Sequence, residues 1–167
     1  MMVQVQSQRA VVISTDILVL GFFNEMLPPR GLAGELDWIL NNSLSRLMKA
    51  GKISGQFGEG ALVSSDKTRT SKIYWIGLGE RESYTHAMLT KFAPDLYQRL
   101  QRLAVREAYL DLWDIEGCAL DFYSSLNAFL KGVFQEPGEK NVNLIFHSSD
   151  PERVGEMNRA LKEIPRS

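Results

Sequence analysis

Cysteine is almost absent from these 167 residues: Cys118 stands alone, so no disulfide can form within the chain. That usage suits a reducing compartment. Histidine is nearly as scarce, and the two present, His86 and His147, form no H-x-x-x-H pattern; no C-x-x-C pattern exists either. The common zinc spacings are therefore excluded. No charge of one sign dominates, with 19 Lys and Arg against 20 Asp and Glu. Bulk charge thus gives no reason to expect nucleic acid or a membrane as partner. Long apolar runs are also missing; residues 17–23 are among the longest, far short of the roughly 20 that a membrane-spanning helix needs. The opening MMVQVQSQR lacks the apolar core of a secretory signal. The expectation is one globular, cytoplasmic domain over residues 1–167, with apolar content for a substantial core.

What is present alternates between two periods. Val3 and Val5 alternate with Gln4 and Gln6, as in an edge strand with one wet face. Residues 17–23 are apolar on both faces, which predicts a central strand covered on both sides. Pro28 and Pro29 mark a loop, since they remove backbone donors. A helix is predicted over residues 34–50, with Leu36, Ile39, Leu40, Leu44, Leu47 and Met48 on one stripe and Gly51 as its stop. A short strand at 61–64 precedes a stronger one, Lys72-Ile73-Tyr74-Trp75-Ile76-Gly77-Leu78-Gly79, which runs into a glycine turn. Tyr74 and Trp75 should face opposite layers, because side chains alternate along a strand.

Helical spacing returns at Leu89, Phe92, Leu96, Leu100 and Leu103, with the main helix expected to start around Pro94. A strand over 109–115, a helix over 117–134 and a strand over 142–146 follow. The last helix has Asp150 as N-cap, Pro151 at its first position and Ile164-Pro165 as its stop. Strand and helix in alternation predict a three-layer α/β/α domain around a mixed, mostly parallel sheet with an antiparallel edge.

The order of these motifs resembles a known family. Asp16-Ile17-Leu18-Val19-Leu20-Gly21-Phe22-Phe23, then Leu36-Asp37 in a helix, is similar to the start of the leucyl (cytosol) aminopeptidases. Gly51-Lys52-Ile53-Ser54-Gly55-Gln56-Phe57-Gly58 resembles that family's G-x-hydrophobic-x-G-x-x-G stretch. Ile73 to Gly79 resembles its strand ending in G-hydrophobic-G. The likeness belongs to the family's N-terminal domain, which itself looks like the macro domains, α/β modules that often bind ADP-ribose. In the family, peptidase activity resides in a second domain that binds two metal ions through carboxylates and a lysine. Those ligands have no counterpart in this sequence. The resemblance therefore implies a non-catalytic relative, with no cofactor, serving as a binding or regulatory module. It also implies two alternatives: a macro-type domain binding ADP-ribose or another phosphate-bearing nucleotide, or a partner subunit of a separately encoded metallo-aminopeptidase. Where macro domains carry an asparagine motif and a glycine pair, this chain has Leu20-Gly21-Phe22-Phe23 and Pro28-Pro29-Arg30-Gly31.

The residues themselves offer several candidate sites. Gly77 and Gly79, with Gly58 and Gly60 facing them, are the candidate ligand-binding glycines, since glycine lets backbone N–H groups approach a phosphate. A tight turn off the sheet is the simpler reading of them. Asp111, Asp114 and Glu116 lie close in sequence but read as a solvated rim rather than a metal site. Cys118 near a helix start could be activated by the helix dipole, yet reads more simply as a small buried hydrophobe. Arg99, Arg102 and Arg106 form a basic strip that reads as a solvated helix face. No nucleophile elbow of the G-x-S-x-G kind is present.

Overall fold

The computed structural model describes residues 1–163. Its elements are β1 (Val3–Gln6), β2 (Ile17–Phe22), α1 (Gly31–Ile39), α2 (Ser43–Lys49), β3 (Gly60–Ser64), β4 (Lys72–Gly77), α3 (His86–Arg102), β5 (Glu107–Asp111), α4 (Phe122–Gln135), β6 (Asn143–His147) and α5 (Pro151–Glu163). A short 3-10 turn, Arg81–Ser83, precedes α3. One six-stranded sheet has the order β1-β6-β5-β2-β4-β3. Its strand pairs are parallel except β3 with β4, so the sheet is mostly parallel with an antiparallel edge, as the sequence predicts.

Alternation along the inner strands builds the layers. Ile17, Val19 and Phe23 belong to one core with side chains of α3, α4 and α5, such as Leu96, Phe129 and Met157. Leu18, Leu20 and Phe22 belong to the other core, with Leu36 and Leu44 of α1 and α2. A strand with both faces covered can be apolar at every position, and all six residues of β2 are buried. In β4, Trp75 joins the α1–α2 layer while Tyr74 packs against the α3 layer, as the alternation predicts. β4 is an inner strand but lies one place from the edge; β2 and β5 form the centre.

The predicted helix over 34–50 is in fact two. Asn41 and Asn42 adopt left-handed backbone angles, φ 55° and 58°, a conformation asparagine tolerates better than most residues. The buried Asp37 of α1 supplies the reason for the restart. Its carboxylate accepts from Leu44 N at 2.7 Å and from Ser45 Oγ at 2.7 Å, capping the first turn of α2 from seven residues away. The long helix also departs from expectation: α3 begins at His86, capped by the Thr85 hydroxyl, and continues through Pro94. Proline removes the donor that would bond the Thr90 carbonyl. α4 packs tightly at that carbonyl, since a Cβ on Gly132 would overlap the Thr90 oxygen. Thr90 Oγ1 then donates to Ala128 O at 3.1 Å, tying the two helices together.

Two boundaries shift further on. β5 ends at Asp111, and residues 112–121 form a loop, so α4 starts at Phe122 with Asp121 as its N-cap, Oδ1 accepting from Ser124 N at 2.8 Å. Asp150 caps α5 as expected, accepting from Glu152 N at 3.0 Å. The expected stop at Ile164-Pro165 lies outside the described residues.

Candidate functional site

In an open α/β sheet, ligands bind outside the carboxyl ends of the strands, where neighbouring strands send their connections in opposite directions. Here that point lies between β2 and β5. The chain leaves β2 toward β3 and β4 on one side, and leaves β5 toward β6 on the other. The two diverging loops, residues 23–30 and 112–121, face each other across a cavity of about 260 Å³. Glu25, Met26, Pro28 and Arg30 line it from the first loop, and Glu116 and Gly117 from the second. Arg81, from the connection after β4, completes it.

Both arginines are already engaged by carboxylates. Arg30 Nη1 donates to Glu116 Oε1 at 2.6 Å, bridging the two loops across the mouth. The Arg81 amide donates to Glu25 Oε1 at 3.0 Å, and its guanidinium Nε lies 3.9 Å from the same oxygen. Arg81 also lies over Gly117, where a Cβ would stand 2.8 Å from its Nη1. Gly117 has φ +82°, a backbone angle that calls for glycine. Both ion pairs are substantially exposed, and such pairs are held weakly.

The four glycines named from the sequence meet nearby, where the ends of β2 and β4 and residues 54–59 pack backbone against backbone. Gly58 N donates to Gly77 O at 2.9 Å, Gly77 N to Glu59 O at 2.8 Å, and Gly79 N to Gly55 O at 2.9 Å. Gly79 O in turn accepts from Asn24 N at 3.0 Å. Gly60 opens β3 opposite Ile76, against the Tyr74 ring. The amides of Gly58, Gly77 and Gly79 are thus spent on protein carbonyls. An anion-binding nest does exist one turn earlier, and the chain fills it: Glu59 Oε2 accepts from the amides of Ser54 (2.9 Å), Gly55 (2.9 Å) and Gln56 (3.2 Å), and from Ser54 Oγ (2.8 Å). These hydrogen bonds outweigh desolvation and hold the Glu59 carboxyl below its ordinary range.

The three acidic residues have different surroundings. Asp111 is buried, at 4 % exposure, and its Oδ1 has no partner among the described residues. Burial first, then repulsion from Asp114, pushes its carboxyl well above the ordinary value. It is therefore no solvated rim. Asp114 accepts from the Ser149 amide and faces Arg153 of α5 at 3.5 Å. Glu116 holds Arg30 at the surface. Among the described residues, no group of three or more His, Cys, Asp or Glu is arranged to hold a metal ion.

The remaining candidates also find their places. Cys118 is half-buried in the 112–121 loop rather than at a helix start, and burial raises its thiol pKa. Tyr84 is buried beside it and donates to Leu112 O at 2.8 Å. His147, at the end of β6, lies 3.0 Å from the Tyr109 hydroxyl, and burial lowers its pKa. His86 faces Asp121 at 3.9 Å. Arg99 is not a free surface cation: it pairs with Asp95 at 2.6 Å and donates to Gly58 O at 2.9 Å. Arg106 lies beyond the end of α3, past a left-handed turn at Ala104. The cleft residues Arg30, Arg81 and Glu25 carry no motif of their own. The one signal available was the loop after β2, Leu27-Pro28-Pro29-Arg30-Gly31, at the carboxyl end of a central strand.

Residues 19–136 match the model of the cytosol aminopeptidase family, N-terminal domain. Among solved structures, the macrodomain of Mycobacterium tuberculosis DarG is similar at 14 % identity, with a TM-score of 0.69 over 89 % of this chain and 99 % of that one. Tomato leucine aminopeptidase is similar at 16 % identity and a TM-score of 0.66, over 95 % of this chain but only 35 % of the enzyme. A Trypanosoma brucei macrodomain in complex with ADP is similar at 11 % identity and a TM-score of 0.71, over 96 % of this chain and 69 % of that one.

Proposed function

Because the chain belongs to the cytosol aminopeptidase family through its N-terminal domain, we propose that it is a non-catalytic binding module. The cleft between residues 23–30 and 112–121 receives a small phosphate-bearing ligand, of which ADP-ribose and ADP are the first to test. The observation that carries this reading is the pair of guanidinium groups, Arg30 and Arg81, brought to the switch point of the sheet and held there by carboxylates. An arginine fork matches two phosphate oxygens as well as it matches a carboxylate. A phosphate entering the cleft takes the place of Glu116 on Arg30 and of Glu25 on Arg81. Gly117 lets the Arg81 side chain lie against the second loop, which holds this guanidinium at the cleft. A macrodomain of similar fold is known in complex with ADP, which makes ADP a natural first probe.

Two measurements test the proposal. Anisotropy of a fluorescent ADP analogue should report saturable binding, weakened about tenfold by Arg30→Gln and by Arg81→Gln, the loss of one charge-assisted contact. Equal affinity in all three proteins would remove the cleft from the account. Metal-loaded protein should release nothing from a leucine chromogenic substrate, and measurable hydrolysis would overturn the non-catalytic reading.

A further inference from the structure

The two edges of the sheet are treated differently. At the β1 edge, Asn158 of α5 accepts from Val5 N at 2.9 Å and donates to Val5 O at 2.8 Å, so a side-chain amide occupies the place of a further strand. β3 has no such cover. Ser65 N donates to Ser71 O and Gly77 N to Glu59 O, which fixes the phase of its ladder with β4. Alternation then points the N–H and C=O groups of Gly60, Leu62 and Ser64 away from β4. Among the described residues, no backbone or side-chain group from another segment bonds them. The strand, Gly60-Ala61-Leu62-Val63-Ser64, has no charge, no proline and no buried residue. Those are the features edge strands ordinarily use or avoid to prevent pairing.

The side chains beside this edge have a definite chemistry. Leu62, 46 % exposed, lines a groove of about 330 Å³ with Gly60, Tyr74, Leu103, Arg99 and Arg102. Cations outnumber carboxylates at the same corner, where Asp16 and Asp66 are the acidic residues. Lys72 pairs with Ser64 in the ladder, Lys67 and Arg69 lie in the turn joining β3 to β4, and Arg106 follows α3. Lys67, Arg69, Lys72, Arg102 and Arg106 are all exposed, and none makes an ion pair among the described residues.

We propose that the β3 edge is a docking strand for an extended acidic segment of a partner protein, which adds to the sheet beside β3. Its backbone would bond Gly60, Leu62 and Ser64, an apolar side chain would enter the groove over Leu62, and carboxylates two residues to either side would face Arg102 and Lys72. A second copy fits poorly, because a twofold axis through Leu62 would set the same cations against each other. A nucleic acid fits poorly too. Its phosphates can accept from the edge N–H groups but cannot donate to the alternating carbonyls, and the one aromatic ring in the groove, Tyr74, is half-buried with its hydroxyl taken by Arg99 at 3.3 Å. The inference is independent of the cleft and its ligand.

The probe is the blocked peptide Thr-Glu-Thr-Val-Thr-Glu-Thr, compared with the same peptide carrying Lys for Glu. The acidic peptide should bind, slow amide exchange at Gly60, Leu62 and Ser64, and outbind the basic one by about tenfold or more. Ser64→Pro removes an outward donor, a place where an edge strand tolerates proline. Arg102→Glu reverses an exposed charge. Each should weaken the acidic peptide about tenfold with an unchanged melting midpoint, and Arg102→Glu should improve the basic peptide. Equal affinity for the two peptides, unprotected edge amides, or indifference to both variants would overturn the proposal. So would displacement of the peptide by oligo-thymidylate, or a wild-type dimer in sedimentation that Ser64→Pro abolishes.

Discussion

Trp75 is where the packing account is most exposed to test. It has no solvent exposure, sits on β4 and fills the α1–α2 layer with Leu36, Leu44 and Ile73. A buried tryptophan removes roughly 200 Å² from water, worth about 5 kcal/mol at 25 cal/mol per Å². Alanine keeps only a small share of that and leaves a cavity. In the other direction, the indole Nε1 has no hydrogen-bond partner among the described residues, and an orphaned donor costs about 1–3 kcal/mol that the substitution removes. The net expectation for Trp75→Ala is a loss of about 3–5 kcal/mol. Trp75→Phe removes the orphaned donor while keeping a ring, so it should cost under about 2 kcal/mol. Urea unfolding of the three proteins, with unchanged slopes, reads both differences. A loss below about 1 kcal/mol for Trp75→Ala would mean that this layer does not close around the indole, and the reasoning would fail.

Further consequences concern buried charge and close packing. Asp111→Asn should leave stability unchanged near pH 3 and raise it above about pH 4, because the unfolded carboxyl ionises there while the folded one is held protonated. The gap should widen by up to about 1.4 kcal/mol per pH unit until the folded group ionises, and a pH-independent gap would refute it. His147 titrates below its ordinary value, so its contribution is complete above about pH 6.5 and fades as pH falls below that. His147→Gln should flatten that part of the stability profile, and an unchanged slope between pH 5 and 6.5 in thermal melts would count against it. Gly132→Val should cost about 2 kcal/mol or more by forcing α4 off the Thr90 carbonyl; a change within experimental error would show that the helices can separate freely.

The sheet was legible in the sequence because its inner strands are covered on both faces. Residues 17–23 and 72–77 are short runs rich in β-branched and aromatic residues and bounded by turn residues, which favours a strand over a helix. The opposite facing of Tyr74 and Trp75 followed from strand geometry alone. The helices were less legible because their limits depend on contacts remote in sequence. Asp37 breaks a continuous apolar stripe by capping α2 from within α1, whereas α3 runs on through Pro94 with α4 packed against the freed carbonyl. The candidate site was the least legible. Glycines mark where backbones approach each other, and a carbonyl can occupy that space as readily as a phosphate. Nothing in Gly58, Gly77 or Gly79 says which, and only the position of Glu59 reveals that the nest is already filled. Arg30 and Arg81 are 51 positions apart, and only the sheet order brings them to one cleft.

Calorimetric titration of ADP-ribose and ADP into the wild-type protein and Glu116→Gln tests the central claim most directly. Saturable one-site heat is expected for at least one of the two ligands. Glu116→Gln frees Arg30 of its carboxylate, so it should bind that ligand several-fold more tightly, with the gap shrinking as salt is raised. A flat trace for both ligands in both proteins would contradict the account of the cleft.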